Sequence, residues 1–386
     1  MADVEIGRGK KARRAYGFDD IAIVPSRRTR DPQDVDIGWK LGPHLLELPL
    51  LASAMDGVVS PETAIMLGKL GGLGVLNLEG IYTRYENPDA ELERIAKLPK
   101  EKATPGMQEI YARPVEPKLI AERIEEIKRA GVLAAGSLTP QKVRDHYELA
   151  LEAGLDILVI QGTVVSAEHV SSTSEPLNLK TFIAHYDLPV IVGGCASYAT
   201  ALHLMRTGAA GVLVGVGPGA ACTTRGVLGI GVPMATALAD AAGARIRHLE
   251  ETGRYVQVIA DGGMRTGGDV AKAIACGADA VMIGSPLARA VEAPGRGHHW
   301  GMATFHPDLP RGTRVRTTPL GTLKEILLGP APVNDGSMNL FGGLRTSMAT
   351  TGYQTVKEFQ KAEVMVAPAL QTEGKLLQRS QGVGMG

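Results

Sequence analysis

The chain has 386 residues, 44% hydrophobic and 21% charged, long enough for one large α/β domain or two smaller ones with an ample core. Its 41 basic and 41 acidic residues cancel, which leaves no electrostatic case for nucleic acid or an anionic membrane surface as partner. No run approaches about 18 uninterrupted apolar residues and no apolar core follows the charged N-terminus, so neither a membrane helix nor a secretory leader is expected.

In chain order, the basic cluster from Arg8 to Arg14 reads as a solvated or interface arm. Runs rich in Val, Ile, Leu and Ala then recur at 48–52, 73–76, 132–135, 156–160, 189–192, 211–214, 256–260 and 280–283. Continuous rather than alternating apolarity means burial on both faces, as in a parallel sheet covered by helices. Amphipathic patterns at 61–69, 118–129, 140–152, 198–206 and 268–276 suit crossover helices, several ending in a glycine cap at Gly131, Gly154, Gly208 or Gly277. Eight such units predict a closed (β/α)₈ TIM barrel. The competing open sheet would carry an early G-x-G-x-x-G turn, and none is found.

Two stretches depart from the repeat. Residues 81–117 are charged and Pro-interrupted and read as a long connection between the second and third units. After Arg289 the chain is irregular to about Gly321, as lids, binding loops or disordered segments are. A single catalytic domain over 1–374 is expected, with a flap at about 294–321 and a loose tail over 375–386.

The active site of such a barrel lies at the C-terminal strand ends. After the sixth strand comes a Gly/Pro-rich loop reaching Cys222-Thr223-Thr224-Arg225; after the seventh, Asp261-Gly262-Gly263; after the eighth, Gly284-Ser285. Glycines there admit backbone N–H groups to a phosphate and Ser285 adds a hydroxyl, while Asp261 has two oxygens for ribose hydroxyls; the bland alternative is that the glycines only make tight turns. Cys222 is the candidate nucleophile, with Arg225 as a nearby cation that would favour its thiolate. Cys195, near another strand end, ranks second, and Cys276 reads as a small buried hydrophobe. The three cysteines cannot all pair within the chain and lack metal-ligand spacing, which fits free thiols in a reducing cytoplasm.

The stretch Gly217-Pro218-Gly219…Cys222-Thr223-Thr224-Arg225, then Gly229-Ile230-Gly231-Val232-Pro233, closely resembles the catalytic loop of the IMP dehydrogenase/GMP reductase family. Supporting matches are Phe18-Asp19-Asp20, Ser53-Ala54-Met55-Asp56, Ala260-Asp261-Gly262-Gly263, Val281-Met282-Ile283-Gly284-Ser285, Glu292-Ala293-Pro294-Gly295 and Gly301-Met302. The resemblance implies a (β/α)₈ barrel, a homotetramer, and a purine nucleotide of the IMP/XMP/GMP type as substrate. Many members insert paired cystathionine-β-synthase-type modules after the second strand; the interval here is too short, so an insert-free, IMP-dehydrogenase-related branch is implied.

Carried over by position, Cys222 attacks purine C2, with Thr224 and Arg311 (or Arg314) handling water. Ser53, Met55, Ala220, Asp261, Gly262, Gly263, Gly284, Ser285, His299, Trp300, Gly301, Met302 and Ala303 would hold the nucleotide, the backbone of Met302 and Ala303 reading the base. Gln161, Gly162, Gly215, Val216 and Gly217 would border NAD. The carbonyls of Gly217, Gly219 and Cys222 match a potassium-binding loop.

Several positions depart from the family pattern. Ala220 replaces a phosphate-binding serine, Gln161 a carboxylate that holds the nicotinamide ribose, and Gly194 an asparagine. The flap is shortened, its water-activating Arg-Tyr pair is not recognisable, and Arg311 precedes Gly312 where Glu or Gln is usual. Three readings follow: an IMP dehydrogenase forming XMP with NAD in guanine nucleotide synthesis; a GMP reductase using NADPH, which would lack its flap carboxylate; or a catalytically weak purine-nucleotide-binding paralogue.

Overall fold

The apolar runs become eight parallel strands: β1 (Leu50–Ala52), β2 (Leu73–Asn77), β3 (Ala135–Leu138), β4 (Ile157–Gln161), β5 (Val190–Cys195), β6 (Gly211–Val214), β7 (Gln257–Asp261) and β8 (Ala280–Ile283). A computed structural model describes residues 3–172, 175–367 and 373–384 of the chain. Strand β8 pairs with β1, Val281 opposite Leu50, which closes the sheet into a barrel and excludes the open alternative.

Successive side chains of a strand point to opposite faces. Leu51, Val75, Ile157, Val159, Ile191, Leu213, Ile259 and Met282 therefore fill the barrel interior. Leu50, Leu158, Ile160, Val192, Val212, Val258 and Val281 face the helices instead. This double burial is why the strands read as unbroken apolar runs. An antiparallel hairpin of Trp39–Leu41 and His44–Leu46 closes the N-terminal end and adds Trp39, Leu41 and Leu46 to the interior cluster.

One crossover helix follows each strand: α1 (Pro61–Lys69), α2 (Pro117–Arg129), α3 (Val143–Glu152), α4 (Leu179–His185), α5 (Tyr198–Met205), α6 (Met234–Thr252), α7 (Gly267–Ala275) and α8 (Leu340–Thr350). Ser60 caps α1 by accepting from the Thr63 N–H at 3.1 Å, and Thr266 caps α7 from Asp269 in the same way. The expected cap glycines Gly131, Gly154, Gly208 and Gly277 all adopt positive φ.

Strand β3 begins three residues later than its apolar pattern suggests, because it runs through Gly136 and Ser137. A Cβ at Gly136 would sit 2.6 Å from Leu78, and Ser137 is fully buried, so close packing places small and polar residues in a strand. The long connection at 81–117 holds helices Pro88–Lys97 and Ala103–Tyr111, which the charge pattern concealed. The basic arm folds as an antiparallel hairpin, Asp3–Gly7 with Lys10–Arg13, tied to α6 by Arg13–Asp240 at 2.8 Å. The tail is not wholly loose, for Lys375–Ser380 forms a helix with exposed Leu376 and Leu377.

Behind the N-terminal end of β8, Asp279 is buried and accepts from Arg245 Nη1, Tyr255 Oη, Gln360 Nε2 and the Val258 N–H, each at 2.8 Å, with Lys357 as a further partner. Removing the acceptor strands a buried guanidinium. Asp279→Ala should therefore lower unfolding stability by about 3–5 kcal/mol in chemical denaturation, far more than loss of the exposed Lys97–Glu93 pair.

Candidate active site

The loop after β6 turns back over the barrel mouth. Gly217 adopts φ 73°, and a Cβ there would meet the Arg225 side chain at 2.8 Å, so the loop closes around that arginine. Arg225 donates to the carbonyls of Val216 at 3.2 Å and Val232 at 2.9 Å. This corrects its expected role: its guanidinium is engaged by loop carbonyls and is not a partner of the thiol. Cys222 instead places Sγ 3.1 Å from Thr224 Oγ1 and 3.7 Å from the carbonyl of Arg311. Thr224 is fully buried, which gives the hydroxyl a fixed position. Cys195 is buried, donates to the Leu213 carbonyl at 3.4 Å, and its thiol is pushed up to about 12 by burial. Cys276 is likewise pushed up to about 12, so neither rivals Cys222.

The ends of β7, β8 and β1 form the adjoining wall. The Ser53 N–H donates to the Ile283 carbonyl at 2.9 Å, and a Cβ on Gly284 would meet Met55 Sδ at 2.7 Å and Ser53 Oγ at 3.4 Å. Ser53, Met55, Gly284 and Ser285 are thus one surface. Gly262 and Gly263 both take positive φ and lie against Pro218, which joins the β7 loop to the catalytic loop. Asp261 accepts from Gln161 Nε2 at 3.2 Å across the mouth, and burial without a cation raises its carboxyl to about 7. Ser285 Oγ lies 2.8 Å from His299 Nε2, and His299 Nδ1 lies 2.7 Å from Thr317 Oγ1. Burial, with a smaller effect of His298, pushes His299 down to about 4.

The flap is fastened at both sides. His298–His299 pairs with Val315–Arg316 as a two-stranded root. Farther out, Thr223 N–H donates to the Arg311 carbonyl at 3.1 Å and Thr313 N–H to the Ala221 carbonyl at 2.9 Å, an antiparallel bridge of Cys222 with Gly312. Arg311 N–H donates to the Ala303 carbonyl at 2.9 Å, while its Nε is buried without a partner. Arg314 is excluded from the chemistry, because its guanidinium donates to the carbonyls of Ile95 and Leu98 at the end of the inserted helix. Trp300 is 1% exposed and donates to Tyr111 Oη at 2.8 Å, so its indole belongs to the core and only its backbone can face the mouth. A Cβ at Gly301 would enter open space, Met302 is half-buried, and Ala220 is exposed on the catalytic loop.

Thr304 and Thr317 escaped the sequence reading. Thr304 is fully buried, its Oγ1 unpartnered beside Gly312, and Thr317 completes the chain through Ser285 and His299. Each contact joins segments that carry no shared motif.

Two expected ligands can be compared with the residues present. Gln161 Oε1 is buried with no partner, so it offers a bare acceptor beside Gly162 and the 215–217 loop, as a dinucleotide's ribose hydroxyl or carboxamide N–H requires. The carbonyls of Gly217 and Cys222 accept no hydrogen bond from the described residues, and that of Gly219 accepts one from Cys222 N–H at 3.0 Å. Free carbonyl lone pairs fit a monovalent cation. Among the described residues no cluster of His, Cys, Asp or Glu could hold a metal, and no helix is long and apolar enough to cross a membrane.

The profile of the IMP dehydrogenase / GMP reductase domain matches residues 15–304. A Mycolicibacterium smegmatis protein described as an uncharacterized oxidoreductase is 49% identical over 373 residues, covering 94% of this chain and 99% of the relative. The inosine-5'-monophosphate dehydrogenase of Cryptosporidium parvum is 32% identical over 304 residues, 76% of this chain and 72% of that enzyme. A crystal structure of an IMP dehydrogenase/GMP reductase-like protein from Corynebacterium glutamicum superposes with a TM-score of 0.90 at 46% identity, covering 94% of this chain and 97% of that one.

The raised Asp261 carboxyl has a consequence for stability. An unfolded carboxyl ionises near 3.8 and this one near 7, so the folded state holds the proton longer and stability from this group is lost as pH rises between those values. Asp261→Asn should therefore unfold at a higher temperature than the parent at pH 8, and decline less from pH 4 to 7, by calorimetry on the free protein.

Proposed function

The chain belongs to the IMP dehydrogenase/GMP reductase family, and from that premise we propose that it oxidises IMP to XMP with NAD, through a covalent intermediate on Cys222. The observation that carries this reading is the seating of Cys222 Sγ between Thr224 Oγ1 and the flap carbonyl of Arg311, at the mouth of the barrel. A purine lying against the backbone of Met302 and Ala303 would present C2 to a sulfur so held.

Gly284 and Ser285, with the backbone of Gly262 and Gly263, would receive the 5'-phosphate, and Asp261 the ribose hydroxyls. Sγ forms a bond to C2 while the thiol proton departs along its contact with Thr224. NAD, which Gln161, Gly162, Gly215, Val216 and Gly217 would border, would accept the hydride released as the C2–H bond breaks. Cys222 then carries a thioimidate, which water attacks at C2; the C–S bond breaks, XMP leaves and the thiol is restored. Thr224 and the Arg311 guanidinium would orient that water. An arginine does not lose its proton near neutrality, so Arg311 acts as an orienting cation and not as the base. A monovalent cation on the carbonyls of Gly217, Gly219 and Cys222 would stiffen the loop.

The reductive direction from GMP is less well served. The resemblance gives that reaction a Thr–Glu pair, and the flap presents Arg311 where the carboxylate would stand. An arginine does not give up its proton near neutrality, so it cannot serve as the acid that delivers a proton to departing ammonia.

Cys222→Ser should reduce XMP formation by about 10⁴-fold or more while IMP binding persists, because the covalent route is lost and the phosphate and ribose contacts remain. Calorimetric binding of IMP to the variant, beside its steady-state rate, checks both halves; full activity would remove Cys222 from the mechanism.

Arg311→Ala should leave a first-turnover burst of NADH and slow steady turnover by about 100-fold, since hydride transfer needs Cys222 and hydrolysis needs the positioned water. Stopped-flow traces separate the phases, and an unchanged steady rate would exclude the guanidinium.

A further inference from the structure

We propose that His299 is a positioning residue that takes up a proton when a nucleotide 5'-phosphate binds and thereby turns the Ser285 hydroxyl outward to donate to it. This rests on the reading of 284–285 as the phosphate subsite.

The geometry is a chain of three side chains. Ser285 Oγ, His299 Nε2, His299 Nδ1 and Thr317 Oγ1 follow one another at 2.8 and 2.7 Å, and Thr317 Oγ1 donates onward to the Val315 carbonyl at 3.4 Å. His299 is 2% exposed and Thr317 8%, so neither ring nitrogen has water as an alternative partner. We assign the ring the tautomer in which Thr317 Oγ1 donates to the Val315 carbonyl and accepts from Nδ1–H. Nε2 of the neutral ring is then a bare acceptor, and the Ser285 proton points inward to it. In that state Ser285 offers a phosphate lone pairs alone. Protonation of Nε2 reverses the bond: N–H donates to Ser285 Oγ, and the serine proton is freed to point at the phosphate.

The surroundings decide when this happens. On its own strand the ring has His298; the paired strand brings Arg316, with Arg314 next to it; the β1 loop brings Asp56, whose Oδ2 accepts from Tyr111 Oη and the Ile81 N–H while its Oδ1 is buried without a partner. Among the described residues no carboxylate forms an ion pair or hydrogen bond with His299, and burial holds the ring neutral. A phosphate dianion at Ser285 would supply the missing counter-charge, one hydroxyl away. The flap root shares the chain, because Val315 and His299 are paired residues of its hairpin. Phosphate arrival would therefore also tighten the base of the flap.

Titration of IMP into the full chain, in buffers of differing ionisation enthalpy near pH 7, tests this. The parent should take up about one proton more per IMP than His299→Gln, and its affinity relative to that variant should fall about tenfold per pH unit above neutrality. Ionisation of the phosphate itself is common to both proteins and cancels. Inosine, which lacks the phosphate, should show no difference. Ring-nitrogen NMR of the parent alone gives the same answer if the variant misfolds: IMP should convert His299 from the Nδ1–H neutral form to the doubly protonated ring. IMP binding with equal proton uptake, or with a ring that stays neutral, would overturn the role of His299 and leave the proposed function standing. Failure of IMP to bind the parent at all would overturn both.

Discussion

The antiparallel bridge between Cys222 and Gly312 is the contact around which the catalytic face is organised. Two backbone hydrogen bonds, Thr223 N–H to Arg311 and Thr313 N–H to Ala221, hold the flap over Cys222. Backbone pairing tolerates many side chains, but position 312 leaves no room for one. A Cβ on Gly312 would lie 3.1 Å from the Ala221 carbonyl and would also crowd the Thr304 hydroxyl. The conformation of Cys222 is therefore set jointly by its own glycine loop and by a segment about ninety residues later in the chain.

That bridge is itself supported from the inserted helices. Tyr111 stacks on Phe305 with ring centroids 3.5 Å apart, accepts from Trp300 Nε1 and donates to the buried Asp56. Arg314 caps the carbonyl end of the helix Pro88–Lys97, and Gln108 donates to the His306 carbonyl at 3.0 Å. Burial raises Asp56 to about 6 against the hydrogen bonds of Tyr111 and Ile81, so the network holds a carboxyl under strain of desolvation. Such a cost is met when the ordered flap has lost conformational freedom before ligand arrives. The connection at 81–117 thus serves as the scaffold of the lid.

The barrel was legible because double burial leaves an unmistakable trace: residues 157–160 and 280–283 are buried throughout. The catalytic loop was legible because backbone geometry there requires glycine and proline at fixed places. What escaped has the opposite character. Strand β3 hides behind Gly136 and Ser137, which take their places through packing against Leu78 and not through propensity. Thr317 and Tyr111 owe their roles to partners 18 and 189 residues away, and nothing in their local sequence marks them. Arg225 and Arg314 were misread for the same reason: a cation's proximity in sequence says little when carbonyls elsewhere claim its donors. Trp300 likewise sits among motif residues yet points into the core.

The electrostatics of the mouth tie these features together. Asp261 and His299 stand on opposite sides of the proposed nucleotide, and desolvation drives both toward their neutral forms, one upward to about 7 and the other downward to about 4. A closed, dry cleft cannot favour a charge of either sign until its counterpart arrives. Ribose hydroxyls would donate to Asp261 and stabilise its carboxylate, and a phosphate would stabilise an imidazolium at His299. The two groups would then ionise in opposite senses, so that binding changes the distribution of charge more than its sum. Gln161 belongs to the same balance: as a neutral amide it satisfies Asp261 in the empty site without adding a second carboxylate, whose repulsion would raise Asp261 still further. Replacing a family carboxylate by Gln161 is thus compatible with a functional ribose site, and it shifts the burden of holding a dinucleotide onto neutral hydrogen bonds.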